Sequence, residues 1–432
     1  MEYLKRAPLV SETNRRELAM QVMDVLADIR QNGEPAVRKY SERFDDWAPE
    51  SFRISEEEIT AAADEVPDDL KDTLAFAQEQ VRNFAQAQRE TLRDLEIESR
   101  PGVVLGHRHI PVGSVGAYVP GGRYSLIASG YMSVIPAKVA GVERVIVCTP
   151  PSGGRVPPGT LYSIHLAGAD EIYALGGTQA LAAMAYGALP GLDPVDMLVG
   201  PGNQYVYEAK RQLFGQVGID LLAGPTEIAI IADETADPFI VACDLVGQAE
   251  HGPDSRAILI TTSRELGQAV IDQMDDQLRA VSTEGVAREC WENGGEVIIV
   301  GNEDELVRVC DDYAVEHVEV MVREPKRMIE LLRNYGSLFV GEESTVAYGD
   351  KVSGLNHILP TLRAARYTGG LWVGKYLKTL TYEYMTREAS VEMARHCEVE
   401  SNAEGMVAHA RTAMVRLERY AAEASWEDPV SS

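Results

Sequence analysis

Lysine is scarce in this chain, and paired cysteines, long apolar runs and the usual glycine fingerprint of a dinucleotide loop are missing. The five cysteines (Cys148, Cys243, Cys290, Cys310, Cys397) are scattered through 432 residues, odd in number and without a CxxC pair. This argues against a disulfide framework or a thiolate zinc centre and fits a reducing compartment. No stretch approaches the roughly 20 apolar residues of a membrane span, and the opening MEYLKRAPLVSETNRRELAMQV has no signal-peptide core. The expectation is a soluble, cytoplasmic protein. Lys and Arg number 40 against 67 Asp and Glu, a formal charge of −27, which repels nucleic acid and anionic membranes. So acidic and lysine-poor a surface also points to life at high salt, where screening softens self-repulsion. GxGxxG between a strand and a helix does not occur.

What is present is a chain that is 45% hydrophobic, enough for a large core and two or more domains. The first hundred residues read as helical. SETNRRELAMQVMDVLADIRQNG has helical apolar spacing and a Gly stop, Ser55 and Glu58 make a capping box, and DLKDTLAFAQEQVRNFAQAQRETLRDLE is amphipathic. From about residue 110, short β-rich runs alternate with glycine turns and helices: RVIVCT, EIYAL, DMLVG, EIAIIAD, AILIT, EVIIV and SLFVG. Such alternation predicts parallel sheets covered by helices, and seven strands suit two α/β units. A helical C-terminal segment is expected from about residue 372.

Polar residues gather in a few places. GQAEHGPDS sets Gln248, Glu250 and His251 where an apolar helix ends, and residues 248 and 251 would share a helix face. DYAVEHVEV pairs Glu316 with His317, suiting a general base with a carboxylate partner, although an isolated Glu-His pair also suits a solvated helix start. AYGDKVSGLNHILPT holds Asp350 and His357 in a glycine-punctuated loop, and AEGMVAHARTAM places Glu404 and His409 on a helix. Four of the eight histidines thus have Asp, Glu or Gln nearby. A set of Gln, His, Asp and His suits zinc or another borderline divalent ion, while satisfied structural histidines are the alternative. DMLVGPGNQYVYEAKRQL runs strand, glycine turn, helix, an arrangement that accepts an anion at the helix start, as YVPGGRYS and LGGTQA do more weakly.

IDLLAGPTEIAIIADETADPFIVACDLVGQAEH, YVPGGR, IPAKVAGV, LGGTQA, VGPGNQYV, YAVEHVEV, GDKVSGLNHILPT and AEGMVAH together resemble the histidinol dehydrogenase family in order and spacing across the whole chain. The resemblance implies two Rossmann-like parallel-sheet domains with helical N- and C-terminal segments in an intertwined homodimer. The expected division is 1–14 as an N-terminal segment, 15–117 with 228–371 as the zinc and catalytic domain, 118–227 as the NAD domain, and 372–432 as an exchanged C-terminal segment. By the same resemblance, Gln248, His251, Asp350 and His409 would bind zinc, with His409 and Glu404 serving the partner's site. Glu316 and His317 would be catalytic. Tyr118, Gln179 and Asn203 would contact NAD, and Thr226 and His357 would contact substrate beside the zinc set. The implied reaction takes a primary alcohol through a retained aldehyde to a carboxylate, reducing two NAD.

Two departures bear on the substrate. Histidinol-oxidising members usually read Gly-Asp-Tyr where this chain has Gly349-Asp350-Lys351, and they have an Asp where Gly252 stands. Arg363, Arg366, Lys375 and Lys378 follow in an otherwise lysine-poor chain. Ordinary ion pairing would account for them, but so would an anionic substrate. The departures resemble the sulfopropanediol dehydrogenase branch, which oxidises 2,3-dihydroxypropane-1-sulfonate to sulfolactate and would use Lys351 or one of the nearby Arg residues to bind the anion. Oxidation of L-histidinol to L-histidine is the alternative. A catalytically silent binding protein or structural dimer is a third class, which the loss of a zinc-matching residue, Glu316 or His317 would favour; none is lost.

Overall fold

The computed structural model describes residues 1–8, 15–122 and 124–424. Its strands are β1 (Glu2–Lys5), β2 (Leu95–Arg100), β3 (Val103–Pro111), β4 (Ser114–Tyr118), β5 (Arg144–Thr149), β6 (Glu171–Ala174), β7 (Met197–Val199), β8 (Gly218–Ile219), β9 (Glu227–Ala232), β10 (Arg256–Thr261), β11 (Gly295–Ile299), β12 (His317–Met321), β13 (Ser337–Val340) and β14 (Leu377–Met385). The chain divides into two compact units, Met1–Arg89 with Val112–Tyr376, and Glu90–Pro111 with Leu377 onward.

The larger unit holds two parallel sheets of the same winding. One has the order β6-β5-β4-β7-β8, the other β11-β10-β9-β12-β13 with β1 added antiparallel at the β11 edge. Each numbers 3-2-1-4-5 from its own first strand, the doubly wound order, whose reversal lies between strands 1 and 4. The physical cause is in the runs themselves. EIAIIA in β9 is buried throughout, as is AILIT in β10, because helices cover both faces. Isoleucine and valine suit such strands, since β-branched side chains pack well on a pleated surface.

Helices Arg15–Asn32 and Glu34–Asp45 pack on helices Gly177–Tyr186 and Gln204–Leu213. Val22, Val25, Leu26 and Ile29 join Leu181, Met184 and Leu213 in one apolar cluster beside the first sheet. The Ser55–Glu58 capping box forms as expected, each side chain bonding the other residue's backbone N–H. All seven strand runs anticipated from the sequence are strands, but the helical reading of the first hundred residues is corrected by β1 and β2.

The smaller unit contains an antiparallel sheet, β14-β3-β2, and helices Arg387–Ala403 and Val407–Ala424, which pack on each other. LKTLTYEYM pairs with β3 over nine residues, so the C-terminal segment is not wholly helical. Its alternating Thr and Tyr fit a pleat better than a helix. Among the described residues, no helix is long and apolar enough to cross a membrane.

Candidate active site

The strand ends decide what each sheet presents. In the first sheet, Tyr118 closes β4, Gly200 follows β7, and Asn203 caps the helix Gln204–Leu213 through bonds from Tyr205 and Val206 N–H. These residues flank the reversal of strand order at the carboxyl edge, where open α/β sheets bind ligands. Helix N-termini gather at that edge and favour an anion. Gln179 lies in the helix that follows β6, and its amide nitrogen donates to Asp45 at 2.8 Å. The hydroxyl of Tyr118 accepts the Gly177 N–H at 3.1 Å. The structure thus brings Tyr118, Gln179 and Asn203 to one edge. It adds Asp45, which lies at the end of a surface helix and carries no sequence signal.

The second sheet uses the opposite edge. Thr226 and Glu227 sit at the start of β9, and Glu316 and His317 at the start of β12. Gln248 is in the last turn of helix Pro238–Ala249, whose end lies at this amino edge. His251 falls beyond the helix end, so the two do not share a helical face as spacing alone had implied. Asp350 and Lys351 are in the short helix Val346–Lys351 rather than in a loop. Glu316 is no solvated helix start either, being only 6% exposed.

A chain of polar contacts runs through this edge. Gln248 Nε2 donates to Thr226 Oγ1, and Thr226 Oγ1 donates to Glu316 Oε2 at 2.5 Å. Glu316 Oε2 also accepts the Glu227 N–H at 3.1 Å and stands 3.4 Å from His317 Nδ1. His317 Nδ1 lies 3.2 Å from the Glu227 carbonyl, which assigns it a proton there. The other nitrogen, Nε2, is buried without a hydrogen bond and lies 3.6 Å from Asp350 Oδ1. Asp350 Oδ2 is 4.0 Å from His251 Nε2. His357 bonds Ser129 Oγ through Nε2 at 2.8 Å and approaches the Asp350 carbonyl through Nδ1 at 3.3 Å. Tyr131 donates to the Lys351 carbonyl at 2.5 Å. Glu227, Ser129 and Tyr131 were missed in the sequence; only Glu227, beside Thr226 in the long signature, carried any signal.

Burial and charge shift these groups. Burial lifts the Glu316 carboxyl to about 7, and burial with the Glu316 charge lifts Glu227 to about 7. Burial opposes a charge on His317, yet the carboxylates of Glu316 and Asp350 outweigh it and raise the imidazole to about 9. Burial pushes Asp350 up as well, but the imidazoles around it, His317 foremost, hold it well below the usual carboxylate range. Burial lowers His251, and lowers His357 to about 4; the Lys351 ammonium contributes to both. The arrangement can hold and release protons at a buried imidazole flanked by two carboxyls.

A metal ion can be tested against the donor set. Among the described residues, no group of three or more His, Cys, Asp and Glu side chains stands ready to hold one. His251 and Asp350 nevertheless face each other, and Gln248 turns its amide nitrogen to Thr226, leaving its oxygen as the remaining donor. Two donors on one tetrahedral zinc stand about 3.4 Å apart, so the 4.0 Å separation requires a shift of tenths of an ångström. A His, Asp and Gln set suits zinc but supplies three of four positions. Glu404 ends helix Arg387–Ala403 and His409 lies on Val407–Ala424 in the smaller unit, both exposed. Of the basic residues, Arg363 and Arg366 are exposed, Lys375 donates to Thr368 at 2.6 Å, and Lys378 belongs to β14.

The chain matches the family model described as histidinol dehydrogenase over residues 10–417. It is 52% identical over 421 residues to a histidinol dehydrogenase homolog of Shouchella clausii, covering 97% of this chain and 99% of that one. It is 47% identical over 424 residues to a sulfopropanediol 3-dehydrogenase of Ruegeria pomeroyi, covering 97% of each. The crystal structure of a histidinol dehydrogenase from Elizabethkingia anophelis superposes with a TM-score of 0.89 at 32% identity, covering 96% of this chain and 94% of that one.

Proposed function

The chain belongs to the histidinol dehydrogenase family, and on that premise we propose that it oxidises a primary alcohol to a carboxylate through a retained aldehyde, using two NAD. The observation that carries this is the buried run of polar contacts Gln248–Thr226–Glu316–His317, which ends at an imidazole Nε2 that has no hydrogen bond and faces Asp350. In its neutral form, with the Nδ1 proton fixed by the Glu227 carbonyl, His317 would take the alcohol proton at Nε2 while bound NAD accepts the hydride; the carboxylates that raise the imidazole to about 9 confine that form to alkaline pH. Asp350 faces Nε2 and stabilises the imidazolium. Glu316, near neutral in its proton affinity, removes a proton from the water that adds to the aldehyde. A second hydride loss then gives the acid. Thr226 and the Glu227 N–H hold Glu316 in place.

Gln248, His251 and Asp350 would hold zinc, with His409 of the partner subunit as the fourth ligand. A zinc ion bound there would polarise and orient the alcohol oxygen. Tyr118, Gln179 and Asn203 would bind NAD, and Thr226, His357 and Glu404 the substrate. The dimer reading is supported within the smaller unit by the exposed Leu95, Ile97, Leu105 and Leu380 on its sheet strands and Met406 and Val407 at its helices, apolar side chains that a partner would cover.

The substrate we favour is 2,3-dihydroxypropane-1-sulfonate, giving sulfolactate. Lys351 is exposed, and its charge reaches both His251 and His357, so an ammonium stands beside the reacting groups. A charge-assisted contact to a sulfonate is worth about 1.5–3 kcal/mol. The 47% identical relative named for this activity supports the same choice. L-Histidinol is the second reading, favoured by the solved histidinol dehydrogenase fold. The deciding test supplies each alcohol with NAD and zinc in high salt and follows NADH. Turnover on the sulfonate alone supports the first reading, turnover on histidinol the second, and silence on both removes the proposed reaction from these substrates.

A further inference from the structure

Lys210 and Asp220 form an ion pair whose side chains are 1% and 0% exposed. Lys210 Nζ also donates to the Gly200 carbonyl at 2.8 Å, and Asp220 Oδ2 accepts the Gly200 N–H at 2.8 Å. The remaining Asp220 oxygen accepts the Leu221 N–H at 2.6 Å. One buried pair therefore grips both backbone polar groups of a single residue. That residue is under close constraint. Gly200 has φ of +114°, and a Cβ there would meet the Tyr118 carbonyl oxygen at 2.1 Å. It opens the turn Gly200-Pro201-Gly202-Asn203, which ends at the helix cap.

Stability alone does not explain such a pair. Two charges withdrawn from water are repaid only partly by their attraction, and apolar replacements of similar volume are often as stable or more so. What an apolar pair would lack is the four-way geometry around Gly200. A turn with two glycines in four residues is otherwise loose, and a loose site forfeits affinity to the cost of ordering it.

We propose that Lys210 and Asp220 are positioning residues for the cofactor, fixing Gly200 so that Tyr118 on one side and Asn203 on the other meet the same dinucleotide. This rests on the reading of that edge as the NAD site. Neither residue touches the ligand; both act through the backbone of the turn.

The test titrates NADH by fluorescence into the full-length, zinc-loaded protein and into the double variant Lys210→Met with Asp220→Leu. The variant is expected to melt below wild type, because the Gly200 N–H and C=O lose their partners, and to bind NADH about tenfold or more weakly at a temperature well below its own transition, where it is folded. Turnover at saturating NAD should fall by less than about threefold, so the loss sits in KM rather than kcat. Wild-type affinity in a folded variant overturns the proposal, as does a lowered melting temperature with unchanged affinity. Should the variant not fold, Lys210→Met with Asp220→Asn keeps an oxygen for the Gly200 N–H and is expected to weaken NADH about threefold; unchanged affinity there also overturns the proposal. Failure of the wild-type protein itself to bind NADH would instead remove the NAD reading, and the positioning role with it.

Discussion

The two sheets of the larger unit share one strand order and present opposite edges. The first offers Tyr118 and the Gly200–Asn203 turn at the carboxyl ends of its strands, where helices begin. The second offers Thr226, Glu316 and His317 at the amino ends, where the helix carrying Gln248 finishes. The helix dipole explains why each edge suits its task. Helix N-termini carry partial positive charge and favour phosphates, whereas C-termini favour cations, here the His317 imidazolium and, under the proposed function, a zinc ion. The general rule for doubly wound folds finds the first site and overlooks the second. Fold order therefore points to the edge proposed for the cofactor and not to the edge proposed for proton transfer.

The largest effect should come from the amino edge. His317→Ala is expected to lower kcat by about 10²–10⁴-fold, the usual contribution of a positioned acid–base group, while zinc content measured on the purified protein stays that of wild type. Retained turnover would take His317 out of the chemistry. Next comes the residue beside Asp350. Lys351→Tyr should reduce kcat/KM for an anionic alcohol by roughly 10–150-fold, the equivalent of one charge-assisted contact, and leave the KM for NAD alone. Equal kinetics on sulfonate and histidinol before and after the change would strip Lys351 of its role.

The carboxyl edge should answer more mildly. Asn203→Ala removes a helix cap worth about 1 kcal/mol and, with it, the proposed cofactor contact. NADH binding, followed by fluorescence, is expected to weaken about fivefold or more with kcat nearly kept. A drop in kcat at saturating NAD, with affinity intact, would mean that the division of labour between the edges is wrong.

Much of this was legible in the chain, unevenly. Apolar β-branched runs such as EIAIIA and RVIVCT announced their strands because covered sheets demand them. β12 was harder. His317-Val318-Glu319-Val320-Met321 buries two ionisable residues within a strand, and polarity there imitates a solvated segment until the partners are seen. Functional sites are where local rules are expected to break. The roles of Gln248, His251 and Asp350 came from motif resemblance, whereas Lys210 gave no sign. In YEAKRQL it looks like any exposed helical lysine, and only the fold shows it buried against Asp220. β14 was missed because its Lys, Thr and Glu residues suppress the apolar signal.

A group inside the second sheet sharpens the comparison by belonging to neither edge. Glu319, in the middle of β12, accepts the Val346 N–H at 2.8 Å and is fully buried, and its other oxygen has no hydrogen bond. Asp244 is its acidic neighbour. Burial, with the Asp244 charge behind it, lifts the Glu319 carboxyl to about 8. The folded protein therefore keeps a proton that the unfolded chain releases near 4.5, so more protons are bound in the native state between those values. Stability must then fall as pH rises through that window, by at most about 1.4 kcal/mol per pH unit for one group. Below it both states are protonated and the contribution is whole; above it the loss is complete. Glu319→Gln keeps the shape and cannot ionise, so its urea midpoint should vary less from pH 5 to pH 8 than that of wild type. Parallel curves for the two proteins would show that Glu319 does not titrate in this range. Turnover at pH 6 should barely change, since a carboxyl held inside the sheet serves the packing of the helix Val346–Lys351 and takes no part in moving protons at either edge.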